Sequence, residues 1–299
     1  MVEKTLLFVA GGWASESDSL NSTELFDGTR WDQSVPMVVK RQNSRCHQIG
    51  DRIFACGGAE DGSVEVLDMR GVVKKWALVA PMPTPRQMFG TTACRGHLYL
   101  IGGMNDEDDT LYEVMERYDP KTNTWASRAP LPVKTYEPTV VCHEKSLYCF
   151  GGLNAQDQPI RQCFKYDPLN NIWKKIALLP DARGVAGAAV IGDDIYIIGG
   201  RKATVDKYSP MAYRSCLKYN VTKNSYSKIA DMTSDRDGCA CAFYNGKIYA
   251  MGGYSTMANS ELSTTEMYDP ESNKWTKLPE LDMNMKRWAF MSCVVTVPN

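Results

Sequence analysis

The sequence lacks the features that would direct it to nucleic acid or to a membrane. Its 34 lysine and arginine residues nearly balance its 35 aspartate and glutamate residues, so it has no basic field of the kind that nucleic-acid binding needs. It contains no secretory signal peptide and no apolar run long enough to span a bilayer. We therefore expect no nucleic-acid partner, no membrane partner and a cytoplasmic location.

Catalytic motifs are also missing. The chain has no phosphate-binding loop, no nucleophile elbow and no HExxH motif. Histidine, the most frequent general base, occurs only as His47, His97 and His143, and we expect these in turns or at the surface. No catalytic residue, cofactor or metal site is predicted, and the chain is not expected to be an enzyme.

Cysteine is plentiful, but no CxxC spacing occurs among the ten residues. Cys56, Cys149, Cys241 and Cys293 stand inside apolar runs. Free buried thiols in a reducing cytosol are the favoured interpretation, and a disulfide framework is the alternative.

Glycine doublets divide the chain into six units at nearly even spacing. They are Gly11-Gly12, Gly57-Gly58, Gly102-Gly103, Gly151-Gly152, Gly199-Gly200 and Gly252-Gly253. A period of this size indicates one supersecondary unit repeated many times. The period therefore determines the fold.

Each unit carries signals for four antiparallel strands and no convincing helix. A short apolar run such as Leu98-Tyr99-Leu100-Ile101 ends at each doublet and predicts a buried strand. A half-buried strand follows and ends in a turn, as in Tyr118-Asp119-Pro120, and an aromatic such as Trp125 opens the next strand. A turn with a basic residue such as Arg86 then leads into a strand of small residues.

Six units of this kind predict an all-β fold, a six-bladed β-propeller of four-stranded antiparallel blades, as one domain over residues 5–297. The first unit lacks its small-residue strand, which is left over at the C-terminus. The last strand is therefore expected to pair in the first blade and close the ring. The predicted blades are 5–36 plus 287–297, 41–83, 86–132, 134–180, 183–232 and 236–283.

The doublet, the Tyr-Asp-Pro turn, the Trp and the Pro-Met-Arg turn together resemble the Kelch repeat, over about residues 5–297. The leftover C-terminal strand resembles the closure of Kelch domains in BTB–Kelch proteins. That resemblance implies a protein–protein interaction module, the substrate-recognition propeller of a cullin-3-type E3 ubiquitin ligase adaptor. The chain holds no segment for a BTB domain, so cullin-3 would be reached only through a BTB domain outside it. The alternative is an actin-binding, cytoskeletal Kelch domain.

A propeller enzyme is the remote alternative. Copper oxidases of the galactose oxidase type need two histidines, two tyrosines and a cysteine on the axis, and sialidases need an arginine cluster and repeated Asp boxes. The three histidines and the single fragment Asp27-Gly28-Thr29-Arg30-Trp31 meet neither requirement.

The resemblance also gives a partner-binding face, made of residues after the doublets and residues after the turn arginines. Large aromatics such as Trp13, Tyr254 and Trp288 there would act as interface anchors, with core packing as the alternative for Trp288. The predicted partner-binding residues are Trp13, Gln42, Gln87, Met104, Asp106, Glu107, Asp108, Asp109, Leu153, Arg201, Asp237, Tyr254 and Trp288.

Charged residues in the loops refine this prediction. Acidic residues follow the first three doublets: Glu16, Asp18, Glu60, Asp61, Asp106, Glu107, Asp108 and Asp109. Arg201, Lys202, Lys207 and Arg214, against Asp206, follow the fifth. If the loops share one face, a peptide with a basic segment would suit the acidic arc; the alternative is charge for solubility alone. The turn residues Arg41, Arg86, Lys134, Arg183, Arg236 and Arg287 are expected to be structural, with an anion site as the alternative.

Overall fold

The computed structural model describes residues 3–13, 19–59, 61–70, 73–105, 107–204 and 211–298, which form six four-stranded antiparallel sheets. Each sheet is one blade. From the innermost strand outward the strands are, in blade 1, Met291–Pro298, Glu3–Ala10, Thr23–Phe26 and Trp31–Ser34; in blade 2, Arg45–Ile49, Arg52–Cys56, Val64–Asp68 and Trp76–Val79; in blade 3, Gly90–Cys94, His97–Ile101, Met115–Asp119 and Thr124–Arg128; in blade 4, Thr139–His143, Ser146–Phe150, Cys163–Asp167 and Ile172–Lys175; in blade 5, Gly187–Ile191, Asp194–Ile198, Cys216–Asn220 and Ser225–Ile229; in blade 6, Ala240–Tyr244, Lys247–Met251, Thr265–Asp269 and Lys274–Lys277.

The innermost strands contact one another in cyclic order around a central channel, so the predicted six-bladed propeller is confirmed. The predicted closure is confirmed as well. The last strand pairs with the first over eight residues, from Ala10 opposite Met291 to Glu3 opposite Pro298. The described residues contain one helical segment, the 3-10 turn Pro279–Leu281, and none of their helices could span a membrane.

Three short ladders lie at the ends of blades, outside the main sheets. Met104–Asn105 pairs with Thr110–Leu111, and Tyr254–Ser255 pairs with Ser260–Glu261. In blade 5, Arg201–Lys202 pairs with both Arg183–Gly184 and Met211–Ala212.

Aromatic residues at the rim fasten each blade to the one before it. Their side chains donate hydrogen bonds of 2.9–3.0 Å to carbonyl oxygens of the preceding blade or the loop after it. The pairs are Trp31 to Leu281, Trp76 to Val35, Trp125 to Ala80, Trp173 to Ala129, Tyr226 to Ala177 and Trp275 to Ala230. These residues therefore pack the blades together, as predicted.

The doublets are required by backbone geometry. Gly103 has φ +98°, and a Cβ there would lie 2.7 Å from the Gln87 carbonyl oxygen. Any larger residue would therefore both strain the backbone and collide with the neighbouring chain.

Buried arginine–glutamate pairs link most blade junctions. We call these the junction pairs; they are Arg41–Glu65, Arg86–Glu116, Arg236–Glu266 and Arg287–Glu24, with N–O distances of 2.5–3.1 Å. Their arginines are at most 4% exposed. Each arginine also donates to backbone carbonyls, for example Arg41 Nη1 to Gly57 at 2.8 Å. The structural role expected for these arginines is therefore supported.

The junctions into blades 4 and 5 differ. Arg183 has no glutamate opposite it, because Leu217 stands at that position of the strand. It donates instead to the carbonyl and hydroxyl oxygens of Ser215, and its guanidinium lies 4.1 Å from the Tyr213 ring centroid.

The prediction for Lys134 is wrong. Lys134 is exposed, and the buried Thr135 takes the junction position, since its carbonyl accepts from Gly103 as the Arg183 carbonyl accepts from Gly152.

The expectation of free thiols is wrong for two cysteines. Cys94 and Cys142 form a disulfide that joins the innermost strands of blades 3 and 4. The other eight are free, and Cys46 Sγ lies 3.4 Å from Cys293 Sγ across blades 2 and 1. Neighbouring strands of different blades bring these residues together, which a search for CxxC spacing cannot detect.

Candidate functional site

A ring of six residues surrounds one end of the central channel. Asn43, Met88, Glu137, Val185, Gly238 and Ala289 all have left-handed backbones, with φ between +50° and +67°. We call them the mouth ring. Each precedes an innermost strand by two residues. All six line a cavity of about 740 Å³ that occupies the channel.

Backbone hydrogen bonds pass from blade to blade around the mouth ring. The amides of Asn43, Met88, Glu137, Val185 and Gly238 donate to the carbonyls of Ala289, Asn43, Met88, Glu137 and Val185, at 2.8, 3.4, 2.6, 3.1 and 3.0 Å. A β-branched residue such as Val185 rarely adopts this conformation. Because such strain persists only where the surroundings impose it, these bonds define a rigid rim for the channel.

The two sets of predicted face residues pair with each other just outside this ring. Trp13 pairs with Trp288, Met104 with Gln87, and Tyr254 with Asp237. Arg201 pairs with Gly184, and Leu153 with Tyr136. Gln42 lies next to the ring residue Asn43. The geometry therefore brings these predicted residues to the same end of the channel.

Blade 4 is the place where the sequence prediction missed residues. Because Lys134 was aligned with the arginines, Tyr136 and Glu137 were displaced by one position. Counting back two residues from the start of the innermost strand, Thr139, identifies Glu137 as the ring residue. That spacing is the signal that would have found it.

Three aromatic side chains cluster on the blade 6 and blade 1 side of the mouth. The ring centroids of Trp13 and Trp288 are 6.4 Å apart, and those of Tyr254 and Trp288 are 6.3 Å apart. All three are half-buried. The Trp288 indole rests on Gly238, where a Cβ would lie 3.3 Å from its Nε1. Unlike the rim indoles, the Trp288 N–H donates to no acceptor in the described part of the chain.

Four charged side chains form an alternating row across the mouth. Arg45, on the innermost strand of blade 2, forms an ion pair with Glu137 of blade 4. Arg201 Nε donates to Asp237 Oδ2 at 2.8 Å. Glu137 also interacts electrostatically with Arg201. We call these four residues the mouth charges.

Asp237 is the incompletely bonded member of this row. It is 3% exposed, and its Oδ1 has no hydrogen-bond partner among the described residues. Burial raises the pKa of Asp237, the negative charges of Glu137 and Asp235 add to the increase, and Arg201 opposes it. Its neighbour Asp235 is fully used, because it accepts from Ser255 Oγ and from the backbone and hydroxyl of Thr256.

A second acidic group lies at the mouth in blade 4. The Tyr136 hydroxyl donates to Asp157 Oδ1 at 2.5 Å. Burial and this hydrogen bond hold the pKa of Tyr136 above its ordinary value. Asp157 and Asp109 both line the cavity.

The predicted charged loops are only partly as expected. Glu107, Asp108 and Asp109 are exposed, as an acidic arc requires. The basic patch on blade 5 is corrected, because Arg201 is paired with Asp237 and Arg214 Nε donates to the Met232 carbonyl. The other residues of this prediction, apart from Asp61 and Lys202, lie outside the described residues: Glu16, Asp18, Glu60, Asp106, Asp206 and Lys207.

Two of the three histidines are not surface residues. His47 lies in the innermost strand of blade 2, where burial lowers its pKa to about 4. His143 is buried, and its Nε2 lies 3.0 Å from the Gly192 carbonyl and 3.4 Å from Asp193. With Glu144 these form the one group of potential metal ligands in the described ranges. The contact joins blades 4 and 5, which suits a structural role.

Comparison with known proteins agrees with this architecture. The family model described as the KLHDC2/KLHL20/DRC7 Kelch-repeats domain matches residues 89–297. Human Kelch-like protein 38 is 32% identical over 261 residues, covering 84% of this chain and 43% of that protein. Kelch-like protein 36 of Bos taurus is 29% identical over 297 residues, covering 93% of this chain and 47% of that protein. The chain therefore spans less than half the length of these relatives.

A solved structure supports the fold independently of close sequence similarity. The structure titled "Structure of YjhT" has a TM-score of 0.71 at 18% identity and covers 82% of this chain and 85% of its own. Six closed blades, a glycine doublet in each and the family-model match over most of the sequence together establish that this chain belongs to the Kelch-repeat family.

Proposed function

We propose that this Kelch domain is a protein-recognition module that binds a peptide or a protein surface at the channel mouth. The observation that carries the proposal is the aromatic cluster of Trp13, Tyr254 and Trp288 on a rigid rim. Aromatic anchors dominate binding energy when a rigid support holds them, because little conformational entropy is lost on binding.

The charges around the mouth favour a partner of mixed character. Glu107, Asp108 and Asp109 are exposed on one side, and the aromatic cluster lies on the other. A partner with a basic segment and an apolar or aromatic residue would fit both sides. The acidic residues would increase the association rate and set the orientation more than they would strengthen binding.

The relatives suggest the biological setting. They are Kelch-like proteins more than twice the length of the aligned region, so the domain would act as one part of a larger molecule. We propose that it is the substrate-recognition part of a cullin-3-type E3 ubiquitin ligase adaptor in the cytoplasm and not an enzyme. An actin-binding, cytoskeletal Kelch domain is the second candidate, and filament co-sedimentation tests it.

A proteome-scale peptide-display selection on the purified domain tests the proposal. It is repeated with the double variant Tyr254→Ala, Trp288→Ala. A matched control, Leu169→Ala with Ile172→Ala, removes exposed apolar side chains from a turn and outer strand of blade 4, where their exposures are 72% and 51%. We expect one short motif to be enriched on the wild type and the control and lost on the double variant.

Two other outcomes count against the proposal. A motif that survives the double variant places the binding site elsewhere on the domain. A selection that enriches nothing removes the peptide-receptor function, and co-sedimentation with actin filaments would then support the second candidate.

A further inference from the structure

We propose that the mouth accepts one cationic side chain of the partner, a lysine or an arginine, beside Asp237, where it completes the row of mouth charges. This inference rests on the proposed function and adds to it the chemistry of one binding position. The acidic arc would attract a basic segment in general. The Asp237 position would instead select one particular residue of the partner.

The first argument is the order of the charges. Arg45, Glu137, Arg201 and Asp237 alternate in sign, and the row ends at a carboxylate. Only one of the two Asp237 oxygens accepts a hydrogen bond. A cation at Oδ1 would extend the alternation by one member.

The second argument is a comparison with a carboxylate that is fully bonded. Glu266 is equally buried, but its Oε2 accepts from the backbone and hydroxyl of Thr233, and its Oε1 accepts from Ser234 and Arg236. Natural folds rarely leave a buried acceptor unbonded without a reason. At a channel mouth, a group supplied by a partner is such a reason.

The third argument is the composition of the surroundings. Tyr254 pairs with Asp237 through two backbone hydrogen bonds of 2.8 and 2.9 Å, so the two side chains lie on the same side of this ladder. Trp288 packs on Gly238, the next residue, which has no side chain to fill the space. Aromatic faces attract cations, and a carboxylate between them strengthens that preference.

Access requires a small movement. Asp237 Oδ1 is buried, so the cation reaches it by displacing the Tyr254 ring. That ring is half-exposed and is held by a bond of 2.6 Å from its hydroxyl to Asn259 Oδ1. The raised pKa of Asp237 is consistent with a carboxylate that lacks a full set of donors.

A double-mutant cycle between the domain and a selected peptide tests the inference. Peptides are selected by display on the wild type, and the enriched lysine or arginine is replaced by glutamine in a synthetic copy. Both peptides are titrated against the wild type, Asp237→Asn and the control Asp193→Asn. Asp193 also carries one negative charge, and its side chain is 59% exposed at the turn before the second strand of blade 5.

We expect the glutamine peptide to bind the wild type and Asp193→Asn about tenfold more weakly, and Asp237→Asn with little further loss. Thermal melts of the three proteins check that each is folded. Additive effects of the two changes would overturn the inference. So would selected peptides that depend on Trp288 but carry no fixed basic residue, and in that case the proposed function stands. A selection without any enriched peptide overturns both.

Discussion

The junction pairs and the mouth charges use the same chemistry, arginine against a carboxylate, in two different settings. In the junction pair Arg236–Glu266 both side chains are fully buried, and several donors satisfy both carboxylate oxygens. At the mouth, the side chain of Arg201 is 23% exposed, and Asp237 keeps one unbonded oxygen. The difference separates a charge that holds blades together from a charge that is available to a partner.

The pKa directions of the two carboxyl groups agree with this distinction. Burial on its own raises the pKa of Glu266, but Arg236 and the Thr233 donors outweigh it, and the pKa lies below its ordinary value. Burial also raises the pKa of Asp237, and there Arg201 alone does not reverse it. Burial is therefore similar at the two sites, and the number of donors decides the direction.

Removing the closing strand should have the largest effect, since all junction pairs depend on a closed ring. A chain that ends after Arg287 loses every residue that pairs with Glu3–Ala10 from the C-terminal side. We expect it to have no cooperative thermal transition, measured by circular dichroism. A control that ends after Pro298 should melt like the full chain. A cooperative melt of the shorter chain would contradict the closure as a source of stability.

Replacing the junction arginines should separate paired from unpaired positions. Arg236→Met leaves Glu266 buried without its cation and should reduce the free energy of unfolding by about 3–5 kcal/mol. Arg183→Met leaves only carbonyl and hydroxyl oxygens, and we expect a loss of about 1–3 kcal/mol. Urea denaturation measures both. Equal losses would show that the carboxylate does not distinguish these junctions.

Two tryptophans test the same distinction without charge. Trp125→Phe removes the indole hydrogen bond to the Ala80 carbonyl and should reduce stability by about 1–2 kcal/mol. Trp288→Phe removes an N–H that has no acceptor in the described residues and should change stability by less than about 0.5 kcal/mol. The melting temperatures of both variants provide the measurement. A large loss for Trp288→Phe would support core packing instead.

The dependence of stability on pH should differ in sign at the two carboxylates. Asp237 has a raised pKa when folded, so its ionisation costs stability as pH rises above its ordinary value of 3.8. Glu266 has a lowered pKa when folded, so the stability it contributes above 4.5 is lost as pH falls through its folded pKa.

Relative to the wild type, Asp237→Asn should therefore gain stability from pH 4 to 7, and Glu266→Gln should lose it, each by about 1 kcal/mol. Urea midpoints at several pH values measure these differences. Parallel curves for the two variants would contradict the assignment.

The fold could be predicted from sequence because its main requirements are local. The doublets repeat because the backbone needs left-handed glycine at the same place in every blade, and the leftover final strand follows from counting. The paired face residues were found for the same reason. The prediction failed where position depends on contacts between blades, as with Thr135 in place of Lys134 and the disulfide between Cys94 and Cys142.

The mouth charges were the least predictable part of the site. Arg201 was expected to contribute to an open basic patch, but its partner Asp237 stands 36 residues away on the next blade. Arg45 and Glu137 are separated by 92 residues and meet across the channel. Such pairs depend on side-chain reach across a closed ring, which no periodic pattern in the sequence records.

The pairing of the last strand with the first also affects how the protein is made. At a synthesis rate of about 5–20 residues per second, roughly 15–60 seconds separate the translation of Ala10 from that of its partner Met291. During this interval the apolar segment from Leu6 to Ala10 has no inner neighbour and an unpaired edge. A nascent chain of this protein therefore presents a site for chaperones, or for a second nascent chain, until translation reaches its final strand.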